Sequence, residues 1–374
     1  MNRESLVPVR PQRLEHNGSL DGVRFFAYTS VFLTHAGTFY PITGYGTHVF
    51  FVLSGFLIGL ILFKQRASEA SLLKNLQIFY FRRTLRVFPL YYAVLILIGV
   101  LQFLGFHYLQ SKALLWQFFY LSNFYEFFVE MPGMTGHFWT LAIEEQFYLI
   151  VPLLMLFLPP RKCAFSILGL WILNLVLYTI NAFVWHSAEL RLLSNIQFGF
   201  IAMGIAVAFV EVEGSFLGVG TRSVYGIGIV STIVSFVLIY LLRRKLVKNE
   251  VDAYMLFEWV VSLASAALIL ALWNNQLRPL GRFLSFPPFV YLGRISYGLY
   301  MYHAFVIYAA GHSWGGSRLA KLVAYLVTIV LAVISWHLFE KPINDLKRFA
   351  PYFAKSAPAR QVVLSDAAAP AAQT

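Results

Sequence analysis

From residue 20 onward the chain consists largely of long apolar runs separated by short polar ones. Ten runs approach the ~20 residues that carry a helix across a bilayer: 20–39, 44–63, 87–106, 138–158, 164–184, 194–213, 224–242, 253–273, 288–311 and 320–340. A further stretch, 114–128, reads LLWQFFYLSNFYEFF; it is apolar and aromatic but too short to cross, so an interfacial or re-entrant segment is expected. The pattern predicts an all-α, polytopic membrane bundle of about ten transmembrane helices. Residues 1–19 form a polar N-terminal segment, 20–342 the transmembrane domain, and 343–374 a tail expected to be disordered. No apolar h-region lies in the first 19 residues, so the first run is expected to act as an uncleaved anchor.

Composition narrows the class. Hydrophobic residues make up 59% of the 374 positions and charged residues 12%, about half the charged share of a soluble domain. Cys163 is the one cysteine, which excludes a disulfide scaffold. The net charge of +12 is the one feature that suggests nucleic acid. Its placement gives another explanation. With both termini cytoplasmic, nineteen of the 29 Lys and Arg residues fall on the inner side, as the positive-inside rule requires. No nucleic-acid partner is expected, membrane lipid is, and the chain is expected to be multi-pass in the cell inner membrane. Arg243, Arg244, Lys245 and Lys248 fall on the outer side, so either that loop faces an outer polyanion or the spans before it are miscounted by one.

Ionisable side chains inside apolar runs are expensive and therefore candidate functional groups. Asp21, Arg24 and His35 lie on the first run. Arg24 and His35 are eleven residues apart, which places them on nearly one helical face about 16 Å apart. Glu144 and Glu145 lie on the fourth run, at a depth that matches His35 by the same rise per residue. A carboxylate beside an imidazole orients its tautomer and raises its basicity, as a general base for a hydroxyl needs. The alternative is that His35 and the glutamates are buried groups bonding neighbouring helices. His48, on the second run, falls slightly nearer the outer surface. At 82–86 the sequence RRTLR spaces Arg82, Arg83 and Arg86 so that three guanidinium groups can reach one region of a helix. Such forks suit phosphate, although topology alone also explains them. Ser54, in FFVLSGFLI, has no base in sight and reads as a small residue that permits close helix packing.

Six segments, in order, resemble the membrane acyltransferase-3 family, the integral-membrane O-acyltransferases of bacterial surface polysaccharides. They are LDGVRFFAYTSVFLTHAG (20–37), VFFVLSGFLI (49–58), RRTLRVFPLYY (82–92), HFWTLAIEEQFYLIVPLL (137–154), YLGRISYGLYMYH (291–303) and FEKP (339–342). The resemblance implies a transferase moving an acyl group, commonly acetyl, from cytoplasmic acyl-CoA to a hydroxyl of a cell-surface or exported polysaccharide or lipid-linked glycan. It implies acetyl-CoA as co-substrate, with no bound cofactor and no metal site. His35 is similar to the family's catalytic histidine, assisted by Glu144 or Glu145. Arg24, Arg82, Arg83, Arg86 and Arg294 are expected to bind the acyl-CoA. Asp21, Ser54, His303 and Glu340 fall within further family motifs. Some relatives carry an additional esterase-like domain; none is expected here, which implies a stand-alone transferase. Two alternatives stand beside this one: a small-molecule acceptor such as a macrolide, and a non-enzymatic membrane transporter.

Overall fold

Asn17 opens the first helix by accepting a hydrogen bond from the Ser19 backbone N–H, as short polar caps do for otherwise unpaired amides. From there the computed structural model is helical almost throughout. It describes residues 16–38, 45–66, 70–105, 111–129, 133–185, 187, 189–216, 219–220, 250–314 and 316–352, with isolated positions between 223 and 237. The helices are α1 (Gly18–His35), α2 (Gly46–Arg66), α3 (Leu72–Phe103), α4 (Ser111–Phe118), α5 (Ser122–Phe128), α6 (Phe138–Phe157) and α7 (Pro160–Ile180). They continue as α8 (Ser194–Glu213), α9 (Glu250–Trp273), α10 (Arg278–Leu284), α11 (Pro287–Arg294), α12 (Ser296–Trp314), α13 (Arg318–Ser335) and α14 (Lys341–Asn344). Among the described residues the only strands are Ser215–Phe216 and Val219–Gly220, paired antiparallel.

Among the described residues six stretches are long and apolar enough to cross a membrane: Gly46–Arg66, Leu72–Phe103, Phe138–Phe157, Lys162–Ile180, Ser194–Glu213 and Arg318–Phe349. They coincide with six of the ten expected runs. Three of the other four take different forms. The first run is the 18-residue α1, which carries Asp21 and Arg24 within its opening turns. The 253–273 run meets α10 at a bend of 93°. The 288–311 run is broken at Ile295 into α11 and α12. The 224–242 run falls mostly, and the 243–248 basic cluster entirely, outside the described residues. The aromatic 114–128 stretch is split between α4 and α5, neither long enough to cross.

The helices bury their small residues against one another and turn large apolar ones outward. A Cβ on Gly55 of α2 would stand 1.9 Å from the Ile201 carbonyl oxygen of α8, and one on Gly204 of α8 would stand 2.0 Å from the Val52 carbonyl oxygen. The two backbones touch because neither glycine has a side chain, the usual device for packing helices in lipid. Outward, Ile172, Leu173 and Val176 of α7 and Leu322, Leu326 and Val330 of α13 are exposed. An apolar surface of this extent belongs in hydrocarbon. Gly55→Ala is expected to reach or exceed the upper end of the ~1–3 kcal/mol that overpacking costs, because the obstruction is backbone. The check is the thermal inactivation temperature in detergent; an unchanged value would contradict the close crossing.

Candidate functional site: three adjoining cavities along the first helix

Asp21 gathers the cationic groups at the beginning of α1. Its Oδ1 accepts from the Arg24 guanidinium at 2.8 Å, its Oδ2 lies 2.6 Å from His16 Nε2, and Arg294 Nε is 3.7 Å away. A cavity of about 270 Å³ opens here, lined by Arg24, Arg86, Arg294 and Glu340 among others. Glu340 reaches it from a π-helical turn, Trp336–Glu340, and accepts from Ser335 Oγ at 2.8 Å.

Arg24, Arg86 and Tyr297 also line a second, narrower cavity of about 100 Å³. Arg83, Ser54, Glu144 and Glu145 complete its polar wall. Ser54 Oγ donates to Glu144 Oε1 at 3.2 Å, and Tyr148 Oη donates to Oε2 at 2.8 Å. The Arg83 guanidinium sits over the Tyr148 ring, 4.7 Å from its centre, a favourable cation–π placement. Gly55 therefore supplies the close packing expected of Ser54, while Ser54 itself holds a carboxylate.

Arg82 departs from the expected cluster. Its guanidinium donates to the Lys347 and Ala350 carbonyls at 2.8 and 3.0 Å and lies 4.2 Å from the centre of the Tyr352 ring. Adjacent positions on a helix point about 100° apart. Arg83 and Arg86 therefore share the cavity face, and Arg82 binds the segment that follows α14.

The third cavity, about 420 Å³, lies at the far end of α1 and is lined by His35, His48, His137 and Glu258 among others. The expected pairing of His35 with Glu144 or Glu145 is not what forms. His35 Nδ1 lies 2.8 Å from His303 Nε2, and the His35 and His137 rings are 6.5 Å apart between centres. The reason is depth. α1 ends at His35, and His137 is the cap residue of α6, so these two ends are level. Glu144 is seven residues further along α6, about 10 Å deeper.

Hydrogen-bond logic fixes the protons of the histidine pair. His303 Nδ1 lies 2.6 Å from the Tyr300 carbonyl oxygen, which only accepts, so Nδ1 carries the proton. In a neutral His303 the Nε2 lone pair then receives the His35 Nδ1–H. The remaining ring nitrogen of His35, Nε2, keeps its lone pair. A carbonyl and a second imidazole thus do for His35 what a carboxylate was expected to do.

Thr47, Thr140 and Tyr300 line both the second and the third cavity. The Thr140 and Tyr300 hydroxyls are 2.6 Å apart and share the His137 carbonyl oxygen, at 3.1 and 2.8 Å. They form the wall between the two spaces.

The third cavity also holds two residues that the sequence analysis does not single out, His137 and Glu258. His137 stands at the head of the HFWT segment. Glu258 is a carboxylate in the middle of the 253–273 apolar run, where the expense of a buried charge already marks it. Among the described residues no group of three or more His, Cys, Asp or Glu side chains is arranged to hold a metal ion.

Comparison with known proteins shows the family. The acyltransferase domain family (Acyl_transf_3) matches residues 17–339. The chain is 28% identical over 372 residues to the peptidoglycan O-acetyltransferase OatA of Listeria monocytogenes, covering 90% of this chain and 57% of that protein. It is 28% identical over 369 residues to the O-acetyltransferase OatA of Staphylococcus aureus strain NCTC 8325, covering 88% and 58%. A putative O-acetyltransferase of Staphylococcus aureus strain MSSA476 is 26% identical, with coverage of 89% and 58%. The chain thus spans less than two thirds of the length of these relatives. No solved structure gives a significant match. By the family match over residues 17–339, which contains every residue lining the three cavities except His16, Glu340 and Asn344, the chain belongs to the acyltransferase-3 family.

Proposed function

We propose that the chain is a membrane O-acetyltransferase that moves an acetyl group from acetyl-CoA to a hydroxyl of a polysaccharide acceptor, with His35 as the general base. One observation carries the reading: three cavities adjoin along α1, with Arg24, Arg83 and Arg86 on the near side and His35 on the far side. CoA is anionic at one end and carries the thioester at the other. The guanidinium groups suit its phosphates. The ~16 Å from Arg24 to His35 along the helix suits the extended arm between them.

The near side is read as cytoplasmic, following the excess of Lys and Arg there. The far side receives the acceptor. A sugar hydroxyl is barely ionised at neutral pH, so His35 Nε2 takes its proton as the hydroxyl oxygen attacks the thioester carbonyl. The C–S bond then breaks, and CoA leaves with the proton returned to its sulfur. The middle cavity, at about 100 Å³, is well below the roughly 300–1,000 Å³ of a ligand pocket. Entry of the arm therefore requires Tyr300 and Thr140 to part. Glu144 and Glu145 stand at that passage, where Ser54 and Tyr148 hold Glu144 in place.

The activity of the Listeria monocytogenes relative on peptidoglycan supports a glycan acceptor over a small molecule. Mass spectrometry of cell-surface glycans tests the reading. A deletion strain is expected to lose acetyl substituents, the intact chain to restore them, and His35→Ala to leave them missing. Unchanged glycans in the deletion strain would overturn the acceptor class. Substrate uptake by vesicles lacking acyl-CoA would instead favour transport.

A further inference from the structure

The outer cavity contains a second imidazole–carboxylate pair that the transfer chemistry leaves unused. His48 comes from α2 and Glu258 from α9. Each side chain is only 2% exposed, and His48 Nε2 stands 3.4 Å from Glu258 Oε1. Both line the same cavity as His35. Glu258 is held on its other side by a hydrogen bond from the Tyr178 hydroxyl. The imidazole is held edge-on by Phe200 and Phe51, whose ring centres lie 4.9 and 6.1 Å away. Its Nδ1 has no hydrogen-bond partner among the described residues.

A buried polar nitrogen without a partner costs about 1–3 kcal/mol. A lone histidine and a lone glutamate are both rare in such surroundings. Two of them, converging from different helices on one cavity, make a site and not a packing residue. The cavity's size, about 420 Å³, lies within the range of small-molecule pockets. Its lining joins these planar polar groups to aromatic faces, Trp139 and Tyr308 among them. Aromatic surface next to in-plane donors and acceptors is what a pyranose ring offers to match: an apolar face and an equatorial ring of hydroxyls.

The geometry points to His48 and Glu258 as a saccharide-binding subsite that positions the acceptor ring, so that a neighbouring hydroxyl meets His35. The inference rests on the outer cavity being the acceptor side. The carboxylate accepts from a sugar hydroxyl, and the imidazole Nδ1 exchanges a hydrogen bond with a second hydroxyl or an N-acetyl group. The two are positioning residues; the proton at the reacting oxygen goes to His35.

The test uses the full chain in lipid nanodiscs with chitotetraose as the probe. Intrinsic tryptophan fluorescence reports saccharide binding, and CoA binding is measured separately. Wild type is expected to show a saturable response. Glu258→Gln and His48→Gln, which keep shape and lose charge or ring, are each expected to weaken saccharide binding by about tenfold or more and to leave CoA binding unchanged. In transfer assays the same variants are expected to raise KM for the saccharide far more than they lower kcat. Equal saccharide affinity in wild type and both variants would overturn the subsite. So would the lack of a saturable response in wild type, or loss of CoA binding together with saccharide binding, which marks a general fold defect. His35→Ala separates the two ideas: it is expected to keep chitotetraose binding and lose transfer. Transfer retained in His35→Ala would remove the base assignment while the binding data still decide the subsite.

Discussion

His35→Ala is expected to lower acetyl transfer by about 10²–10⁴-fold, the contribution of a well-placed general base, with the protein folded and CoA binding intact. The side chain sits at the last residue of α1 and is exposed to the outer cavity, so its removal leaves little packing to collapse. The measurement is the initial rate of labelled acetyl transfer by purified protein, with the thermal inactivation temperature as the fold control. A companion variant sharpens the result. His303→Gln removes the group that receives His35 Nδ1–H but leaves the His35 ring in place, and a loss smaller than that of His35→Ala is expected. Wild-type rates in His35→Ala would end the base assignment. Wild-type rates in His303→Gln alone would end only the orienting role.

The second large effect is expected at Arg83 and Arg86. Hydrogen bonds to charged groups contribute roughly 1.5–3 kcal/mol each. Arg83→Ala combined with Arg86→Ala should therefore weaken CoA binding by at least about two orders of magnitude. Both residues line the cavity with Glu144 and Glu145, and removing them leaves half-buried carboxylates without nearby cations, so some loss of stability is expected as well. Lysine variants separate the contributions: they retain charge, lose the forked geometry, and are expected to fold like wild type with intermediate affinity. Isothermal titration with CoA and with dephospho-CoA is the measurement. Normal CoA affinity in a folded double-alanine variant would refute the phosphate role. Arg82→Ala should behave differently: its guanidinium holds the Lys347 and Ala350 carbonyls, so the expected loss is order in the segment after α14, with CoA affinity retained.

Much of this arrangement is legible before any coordinates. Apolar run length locates six helices among the described residues that meet the requirements for crossing, and helical spacing puts Arg82, Arg83 and Arg86 within reach of one region, of which Arg83 and Arg86 line the cavity while Arg82 turns to the Lys347 and Ala350 carbonyls. The eleven-residue spacing of Arg24 and His35 predicts that one helix carries both ends of the site, and the cavities along α1 follow that spacing. What sequence arithmetic does not reveal is where each helix starts and stops. Matching the depth of His35 to Glu144 assumes where each helix begins. α1 ends four residues earlier than its apolar run, and that alone moves the glutamates a turn or two below the imidazole. The partners that do meet His35, His303 and His137, come from segments separated from it by more than 100 residues, and only the fold joins them. Glu258 is a different kind of miss. Its position in an apolar run is visible in the sequence, but its meaning depends on His48, which α2 brings from 210 residues earlier.

The wall made by Thr140 and Tyr300 has a consequence for the cell as well as for the substrate. Two hydroxyls bonded to each other and to the His137 carbonyl close the way between the second and third cavities with neutral groups. On the proposed reading only an acetyl group on a slender arm has to pass, and the arm itself plugs the gap it opens. A bilayer containing this protein should hold its voltage during turnover: cargo crosses while electrical insulation is kept. Vesicles loaded with a potential-sensitive dye and supplied with acetyl-CoA should show no faster discharge than vesicles without the protein.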